Sequence, residues 1–143
     1  MARENPGVRF CAAHFCGFNQ PTFDEVASFD NIWVDSAALS IGCDLVRKKS
    51  RIYESGSARI STDYRNPAQV FATIARRYPD KFMWGTDNPA HSYVSHAPIK
   101  PNGPPVHLEL WSSMKREKAL LSQVRGRLRH QVTVANALNF IEG

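Results

Sequence analysis

Three short apolar runs, each followed by a segment of helical character, limit what this chain can fold into. The runs at 8–14, 31–35 and 81–86 are rich in β-branched and aromatic residues and are bounded by turn signals, so each predicts a buried strand. Strands that alternate with helices pair in parallel, because the crossover returns the chain to the same end of the sheet. The order therefore predicts an α/β fold with functional residues beyond the carboxyl ends of the strands.

Helical periodicity predicts four helices. The segment 67–78 has the strongest signal, since Asn66 can cap it, Pro67 suits its first turn and apolar residues recur on one face. The other three are predicted over 21–29, 110–124 and 127–141.

Two segments are predicted to be loops. Residues 36–63 carry glycines, serines and several basic residues, which indicates a loop with one short helix at 43–49. Residues 88–106 carry five prolines, which predicts a long irregular loop after the third strand.

Length and composition favour one folded domain over residues 1–143. The chain is 43% hydrophobic and 22% charged, which is typical of a globular protein. No segment reaches the roughly 18–20 apolar residues of a membrane span, and the amino terminus lacks the pattern of a secretion signal. The absence of such a span predicts that the chain has no membrane partner. The three cysteines, an odd number, favour reduced thiols and a cytoplasmic location.

The net charge of +5 raises the question of nucleic-acid binding. Basic residues cluster at 47–51 and again at 115–129, where Glu117 interrupts the series. Aromatic residues do not alternate with these clusters, and the sequence has no helix-turn-helix, zinc-finger or RNA-binding motif. We therefore expect solvated basic faces and no nucleic-acid partner.

Two residues meet the expectation for chemistry at the strand ends. His14 closes the first predicted strand and Asp87 follows the third, each beside a glycine-containing turn. If the strands are parallel, both side chains face the same mouth. An imidazole and a carboxylate can there share a divalent cation, or exchange a proton with water that the cation has acidified. A structural role for a histidine at a strand end stays open as well.

Other chemistries have weaker support. Cys11, His14, Cys16 and Cys43 could form a structural zinc cluster, but Cys11 and His14 fall on opposite faces of a strand. The sequence contains neither the Gly-x-Ser-x-Gly elbow of a serine hydrolase nor a glycine-rich phosphate loop. We expect the cysteines to be small buried hydrophobic residues.

Several residues admit both a functional and a structural role. His91 and His96 could belong to a substrate-contacting lid or could be exposed loop residues, which we favour. Asp35 could line the site, but capping of the following turn is favoured. The tryptophans are expected in the core or at subunit contacts: Trp33, Trp84 and Trp111.

Four segments together resemble a known family. They are Ala-Ala-His-Phe-Cys-Gly at 12–17, Asn-Ile-Trp-Val-Asp at 31–35, Tyr-Pro-Asp-Lys-Phe-Met-Trp-Gly-Thr-Asp-Asn-Pro at 78–89 and Val-Ala-Asn-Ala-Leu-Asn-Phe at 134–140. In this order they are similar to the carboxyl-terminal part of the amidohydrolase superfamily. Within it they resemble the amidohydrolase-related branch that includes aminocarboxymuconate-semialdehyde decarboxylase-like enzymes. The Gly-Thr-Asp-Asn-Pro run at 85–89 is the most specific element.

The resemblance implies a partial (β/α)8 barrel of the TIM type, corresponding to about the last three βα units. The sixth barrel strand then ends at His14, the seventh lies around Trp33 and the eighth ends at Asp87. It also implies a metal-dependent hydrolase, with zinc as the expected metal. Asp87 would bind the metal and accept a proton from its water, and His14 would bind metal or act as an acid or base. The substrate would be a small molecule attacked at a C–N or C–O bond, and non-oxidative decarboxylation uses the same scaffold.

The chain also departs from the family pattern. The His-x-His pair of the first barrel strand and the histidine of the fifth have no counterpart, and a whole barrel needs about 200–250 residues. We therefore expect an incomplete metal site and two open sheet edges, which favour a homo-oligomer or pairing with a complementary barrel fragment. Two hypotheses stay open: the chain is part of an enzyme, or it is a non-catalytic barrel remnant that acts as an association module.

Overall fold

A three-stranded parallel sheet organises the structure. The computed structural model of the chain describes residues 1–50, 53, 58–89, 91–98 and 103–143. The strands of the sheet, in spatial order, are β1 (Phe10–Ala12), β2 (Ile32–Asp35) and β3 (Phe82–Met83). Both ladders are parallel, and Ala12 lies beside Val34, which lies beside Phe82. The predicted α/β class is confirmed.

Six α-helices lie in the described part of the chain. They are α1 (Gln20–Ala27), α2 (Leu39–Arg47), α3 (Pro67–Arg77), α4 (Met114–Ala119), α5 (Gly126–His130) and α6 (Asn136–Glu142). A 3₁₀ turn at Leu120–Gln123 continues α4, and a π-helical segment at Gln131–Ala135 joins α5 to α6. None of these helices is both long and apolar enough to cross a membrane.

The prediction for α3 is confirmed, including its cap. The Asn66 side-chain oxygen accepts the Gln69 N–H at 3.2 Å, and Pro67 opens the helix. The buried side of α3 includes Val70, Phe71 and Ile74, in agreement with the helical spacing of its apolar residues.

A β-hairpin replaces most of the predicted loop at 88–106, so that prediction is wrong. Strands β4 (Ser92–Pro98) and β5 (Pro105–Trp111) pair antiparallel over their whole length. Within the described residues each of the two strands has one neighbour, so a proline that lacks an N–H can face away from the ladder without breaking it. Residues 90 and 99–102 of the predicted loop lie outside the described residues.

Two helix boundaries also differ from the prediction. The fourth helix does not begin at residue 110, because Leu110 and Trp111 belong to β5 and the Ser113 side chain caps α4 by accepting the Arg116 N–H at 3.2 Å. Within the predicted loop at 36–63, helix α2 begins at Leu39 and not at 43. Residues 51, 52 and 54–57 of that loop lie outside the described part of the chain.

The first strand is shorter than the predicted segment 8–14, because the chain turns left-handed after it. All five residues of His14–Phe18 have positive φ, between 45° and 64°, and only Gly17 among them lacks a Cβ. Each of the other four costs roughly 1–2 kcal/mol in this conformation. Phe15 and Phe18 are fully buried, and burial of each ring stabilises the fold by about 1.5–3 kcal/mol. Burial of the two rings therefore offsets most of the strain.

The main core joins strands β2 and β3 of the sheet to helices α1, α2 and α3. Phe71 of α3 packs on Phe82 of β3 with ring centroids 5.1 Å apart, and Phe23 of α1 stacks on Tyr78 at 4.8 Å. The two rings of the left-handed turn, Phe15 and Phe18, stack on each other at 4.2 Å within the same core. The backbone of the turn is therefore positioned by core packing.

The carboxyl-terminal helices are held against β3 by buried polar contacts. Asn136 is fully buried, and its side-chain amide donates to the Pro79 and Phe82 carbonyls at 2.7 and 2.8 Å. At the π-helical segment, where the regular i to i−4 ladder is interrupted, the Val132 carbonyl accepts the Trp84 N–H at 2.8 Å. These bonds fix the chain that leaves β3.

Replacement of Gly42 tests the packing of the left-handed turn. A Cβ at Gly42 of α2 would contact the Phe15 ring and come within 2.9 Å of its Cε2. Gly42→Ala gains about 1 kcal/mol of helix propensity, but overpacking against a buried ring costs about 1–3 kcal/mol. We expect a net loss of about 1 kcal/mol in the free energy of unfolding, measured by urea titration.

Gly7→Ala is the matched control, since no atom lies within 4 Å of the added Cβ. A Gly42→Ala variant as stable as the original chain would show that the Phe15 ring does not hold the turn.

Candidate active site

His14 lies at the carboxyl edge of the sheet, as predicted, but in the turn beyond β1 and not in the strand. Its backbone N–H donates to Asp35 Oδ1 at 3.0 Å, and its ring Nδ1 lies 3.1 Å from the Ala37 carbonyl oxygen. A carbonyl oxygen only accepts, so in the neutral ring Nδ1 carries the proton and Nε2 keeps its lone pair. The His14 side chain is exposed. Its Nε2 is therefore available to bind a metal or to accept a proton.

Asp35 links the ends of β1 and β2. Its Oδ1 accepts the Ala37 N–H at 3.0 Å, which is the predicted cap of the following turn, and also the His14 N–H. The Cys11 thiol lies 3.6 Å from Oδ2. The second role of Asp35, as the acceptor for the backbone of His14, was not predicted. Its position at a strand end had indicated that Asp35 could line the site, but not which backbone groups it holds.

Asp87 lies beyond β3 at the same edge of the sheet. Its φ of 61° is left-handed, and its side chain is half-buried. No hydrogen bond or ion pair joins its carboxylate to any described residue. The third strand ends at Met83, earlier than predicted, so Asp87 belongs to the loop after the strand.

The loops after β2 and β3 are bonded to each other through Ser36. This buried hydroxyl donates to the Gly85 carbonyl at 3.1 Å and accepts the Gly85 N–H at 2.9 Å. Gly85 packs closely here, since a Cβ built on it would lie 3.6 Å from the Ala37 nitrogen. Ala37 thus lies next to both His14 and Gly85. Gly85 precedes Asp87 by two residues in the chain.

The spacing of the strands sets how far apart His14 and Asp87 lie across the sheet. Their strands flank β2, and neighbouring strands lie about 4.8 Å apart. The backbones of β1 and β3 are therefore separated by roughly 10 Å. An ion shared by His14 and Asp87 has to lie above the end of β2, over Asp35 and Ser36.

Left-handed non-glycine residues concentrate at this edge. They occur after β1 at His14, Phe15, Cys16 and Phe18, after β2 at Ala38 and after β3 at Asp87; elsewhere in the described residues Lys49 alone has this conformation. Such strained residues persist where the surrounding structure holds them, and they are enriched at functional sites. All three loops at the carboxyl edge therefore contain strained residues of the kind that is enriched at functional sites.

The cysteines do not form the zinc cluster considered above. Cys43 is buried as predicted, Cys16 is half-buried, and Cys11 is exposed, contrary to the prediction. Burial, and next the charge of Asp35, raise the pKa of the Cys11 thiol to about 12 and that of Cys16 to about 11. These groups are thiols at neutral pH, and the thiolate is the form that binds metal.

The remaining candidates are spread over the structure. His96 lies exposed in β4 and not in a loop, while His91 is half-buried just before β4. Trp33 is in the core, Trp84 packs against it, and Trp111 is 62% exposed at the end of β5. The prediction for the tryptophans is thus confirmed for Trp33 and Trp84.

Glu117 is the buried titratable residue that the sequence did not reveal. It interrupts the basic series at 115–129, where a solvated face was predicted, yet it is fully buried. Its Oε1 accepts a hydrogen bond from the Ser112 hydroxyl, and its Oε2 has no partner among the described residues. Burial raises the pKa of the Glu117 carboxyl.

The neighbouring Arg116 is also not on a solvated face. Its guanidinium donates to Asp44 Oδ2 at 2.6 Å and to the Trp111 carbonyl at 2.7 Å, which joins α4 to α2 and to β5. The side chain is 35% exposed. The solvated-face prediction is therefore wrong at Arg116 and Glu117, because partners distant in sequence decide their burial.

Comparison of the chain with protein-family models, curated proteins and solved structures found no match. Among the described residues, no group of three or more histidine, cysteine, aspartate or glutamate side chains is arranged to hold a metal ion. The resemblance to amidohydrolases, the metal dependence and the roles of His14 and Asp87 stay predictions.

Glu117→Gln tests the buried carboxyl. A carboxyl whose pKa is raised by folding stabilises the protein below its unfolded pKa, and this contribution is lost as pH rises through the folded pKa. The amide cannot ionise, so we expect the variant to gain stability relative to the original chain as pH rises from 4 to 8. At pH 8 the gain should reach at least about 3 °C in Tm.

Glu25→Gln, at an exposed position of α1, is the control and should show no such trend. A Glu117→Gln variant that is destabilised by the same amount at every pH would contradict the prediction.

Proposed function

We propose that this chain is the carboxyl-terminal part of a metal-dependent hydrolase of the amidohydrolase-related family, with His14 and Asp87 at its active site. The observation that carries the proposal is the bond from His14 Nδ1 to the Ala37 carbonyl, which leaves Nε2 free at the carboxyl edge of the sheet. Histidines that bind metals commonly donate their other ring N–H to a backbone carbonyl or carboxylate in this way. The parallel order of β1, β2 and β3 also fits the last three strands of the barrel.

The donor types fit one side of a divalent metal site. An imidazole nitrogen and a carboxylate are ligands that zinc accepts, and the half-buried Asp87 carboxylate has no other partner in the described chain. When bound, zinc would supply water acidic enough to attack a C–N or C–O bond of a small-molecule substrate. Asp87 can hold a proton at its carboxylate, and His14 can donate or accept one at Nε2. Non-oxidative decarboxylation is an alternative on the same residues.

Further ligands have to come from outside the described residues. Zinc in catalytic sites is usually held by three protein ligands, and His14 and Asp87 are two. The described sheet ends at β1 on one side and β3 on the other, and open strand edges favour pairing with another chain. The proposal therefore includes a homo-oligomer or a complementary barrel fragment that completes the site.

A non-catalytic association module is the second candidate. Val134, Leu138 and Ile141 of the carboxyl-terminal helices are 39%, 45% and 66% exposed, and their spacing places them on one stripe. Together with the two open edges of the sheet, this stripe supports association without catalysis. The two candidates differ in whether zinc and turnover depend on His14 and Asp87.

Zinc content and hydrolysis separate the two candidates. The purified chain, stripped of metal and reloaded with zinc, should hydrolyse a chromogenic nitrophenyl ester or anilide faster than the metal-free chain. His14→Ala and Asp87→Asn should each lower the zinc-dependent rate at least tenfold, because each removes a ligand and a proton-holding group.

The matched controls are His130→Ala and Asp80→Asn, which change exposed residues that do not lie at the carboxyl ends of the strands. Both should keep the original rate within twofold. Absence of zinc-dependent turnover would contradict an enzyme completed by a second copy of the chain, and turnover that is unchanged in the His14 and Asp87 variants would contradict the roles of these two residues; either result favours the association module.

A further inference from the structure

Two histidines face each other across the β4–β5 hairpin. His96 and His107 are directly opposite in the antiparallel register, with ring centroids 4.5 Å apart. His96 Nε2 is in hydrogen-bond contact with His107 Nδ1. Directly opposite residues hold their Cβ atoms about 4.5–5.5 Å apart. The backbone therefore brings one nitrogen of each ring to the same point.

This point is open to solvent. His96 is exposed, and the side chain of His107 is 55% exposed. An ion can reach the two nitrogens without any movement of the core, because both rings are exposed on a separate two-stranded sheet.

Glu109 lies on the same face, two residues beyond His107. Its Oε2 is 3.7 Å from His107 Nε2, the ring nitrogen that points away from His96. A carboxylate in this position favours the tautomer with the proton on Nε2, which leaves the lone pair on Nδ1. That lone pair faces His96. At 3.7 Å the contact is electrostatic, and it is longer than the hydrogen bond of the carboxylate–histidine pairs that orient an imidazole toward a metal.

We propose that His96 Nε2 and His107 Nδ1 bind one divalent transition-metal ion, with Glu109 as a positioning residue for His107. Zinc–nitrogen bonds of about 2.0–2.1 Å in tetrahedral geometry hold the two nitrogens roughly 3.3 Å apart, so a small rotation of the rings admits the ion. Water fills the remaining positions, since the described residues offer no third histidine, cysteine, aspartate or glutamate ligand there.

The nature of the ligands predicts which ions bind. Two imidazoles favour zinc, nickel and copper over magnesium and calcium, which prefer oxygen ligands. Among these ions copper should bind most tightly. The site does not depend on the proposed hydrolase, because it uses neither His14 nor Asp87.

Calorimetric titration with Ni²⁺ and with Zn²⁺ tests the site. The full-length chain carrying His14→Ala is used as background, so that metal binding at the edge of the sheet does not contribute. In this background we expect one ion per chain. His96→Ala and His107→Ala should each weaken binding at least tenfold, and Glu109→Gln about three- to tenfold. His130→Ala, which removes another exposed histidine, should change the affinity less than twofold.

A second measurement, made in the same His14→Ala background, identifies the ligands without a further substitution. Sub-stoichiometric Cu²⁺ should broaden the NMR signals of His96 and His107 before those of His91 and His130. Equal broadening of all four histidines, or Ni²⁺ affinity that is unchanged by His96→Ala and His107→Ala, would overturn the proposal. Because the background lacks His14, ion binding at the hairpin is measured independently of the proposed hydrolase. Failure of one proposal therefore does not imply failure of the other.

Discussion

The carboxylate of Asp35 is the constraint on which the candidate active site depends. It accepts the backbone N–H of His14 from the turn after β1 and that of Ala37 from the turn after β2. Hydrogen bonds to a charged acceptor are about twice as strong as neutral ones. The Ala37 carbonyl accepts a hydrogen bond from Nδ1 of the His14 ring. Asp35 therefore positions the backbone of His14 directly and its side chain through Ala37. The Ser36–Gly85 bonds extend this order to the loop that carries Asp87.

Residues at the same edge have strained, left-handed backbone conformations, and core packing holds the turn after β1 in this conformation. The left-handed turn at His14–Phe18 buries two aromatic rings, one of which packs against Gly42. The turn His14–Phe18 therefore cannot relax its backbone without exposing a phenyl ring to water. Fixed backbone geometry is what a histidine needs if it is to bind a ligand with little reorganisation. Core packing and the position of His14 are coupled here through the turn.

The sequence correctly predicted the elements that depend on residues close together in the chain. The cap at Asn66, the parallel strands and the placement of His14 and Asp87 at one edge all follow from apolar runs and turn residues. The left-handed turn could not be predicted, because four of its five residues carry a Cβ and disfavour it. The hairpin was missed because prolines that forbid a central strand are tolerated at its edges. Glu117 was missed because its burial depends on contacts with Ser112 and Trp84, which neighbouring charges do not reveal.

The tautomer of the His14 ring tests the central claim most directly. In the neutral ring, ¹⁵N NMR distinguishes a nitrogen that carries a proton from one that does not. We expect a protonated Nδ1 and an unprotonated Nε2 in the neutral ring of the original chain, because Nδ1 donates to the Ala37 carbonyl. Asp35→Ala should lower the population of this tautomer, because the turn that presents the carbonyl loses its anchor. A neutral ring protonated on Nε2 in the original chain would show that Asp35 and Ala37 do not hold the imidazole in this way.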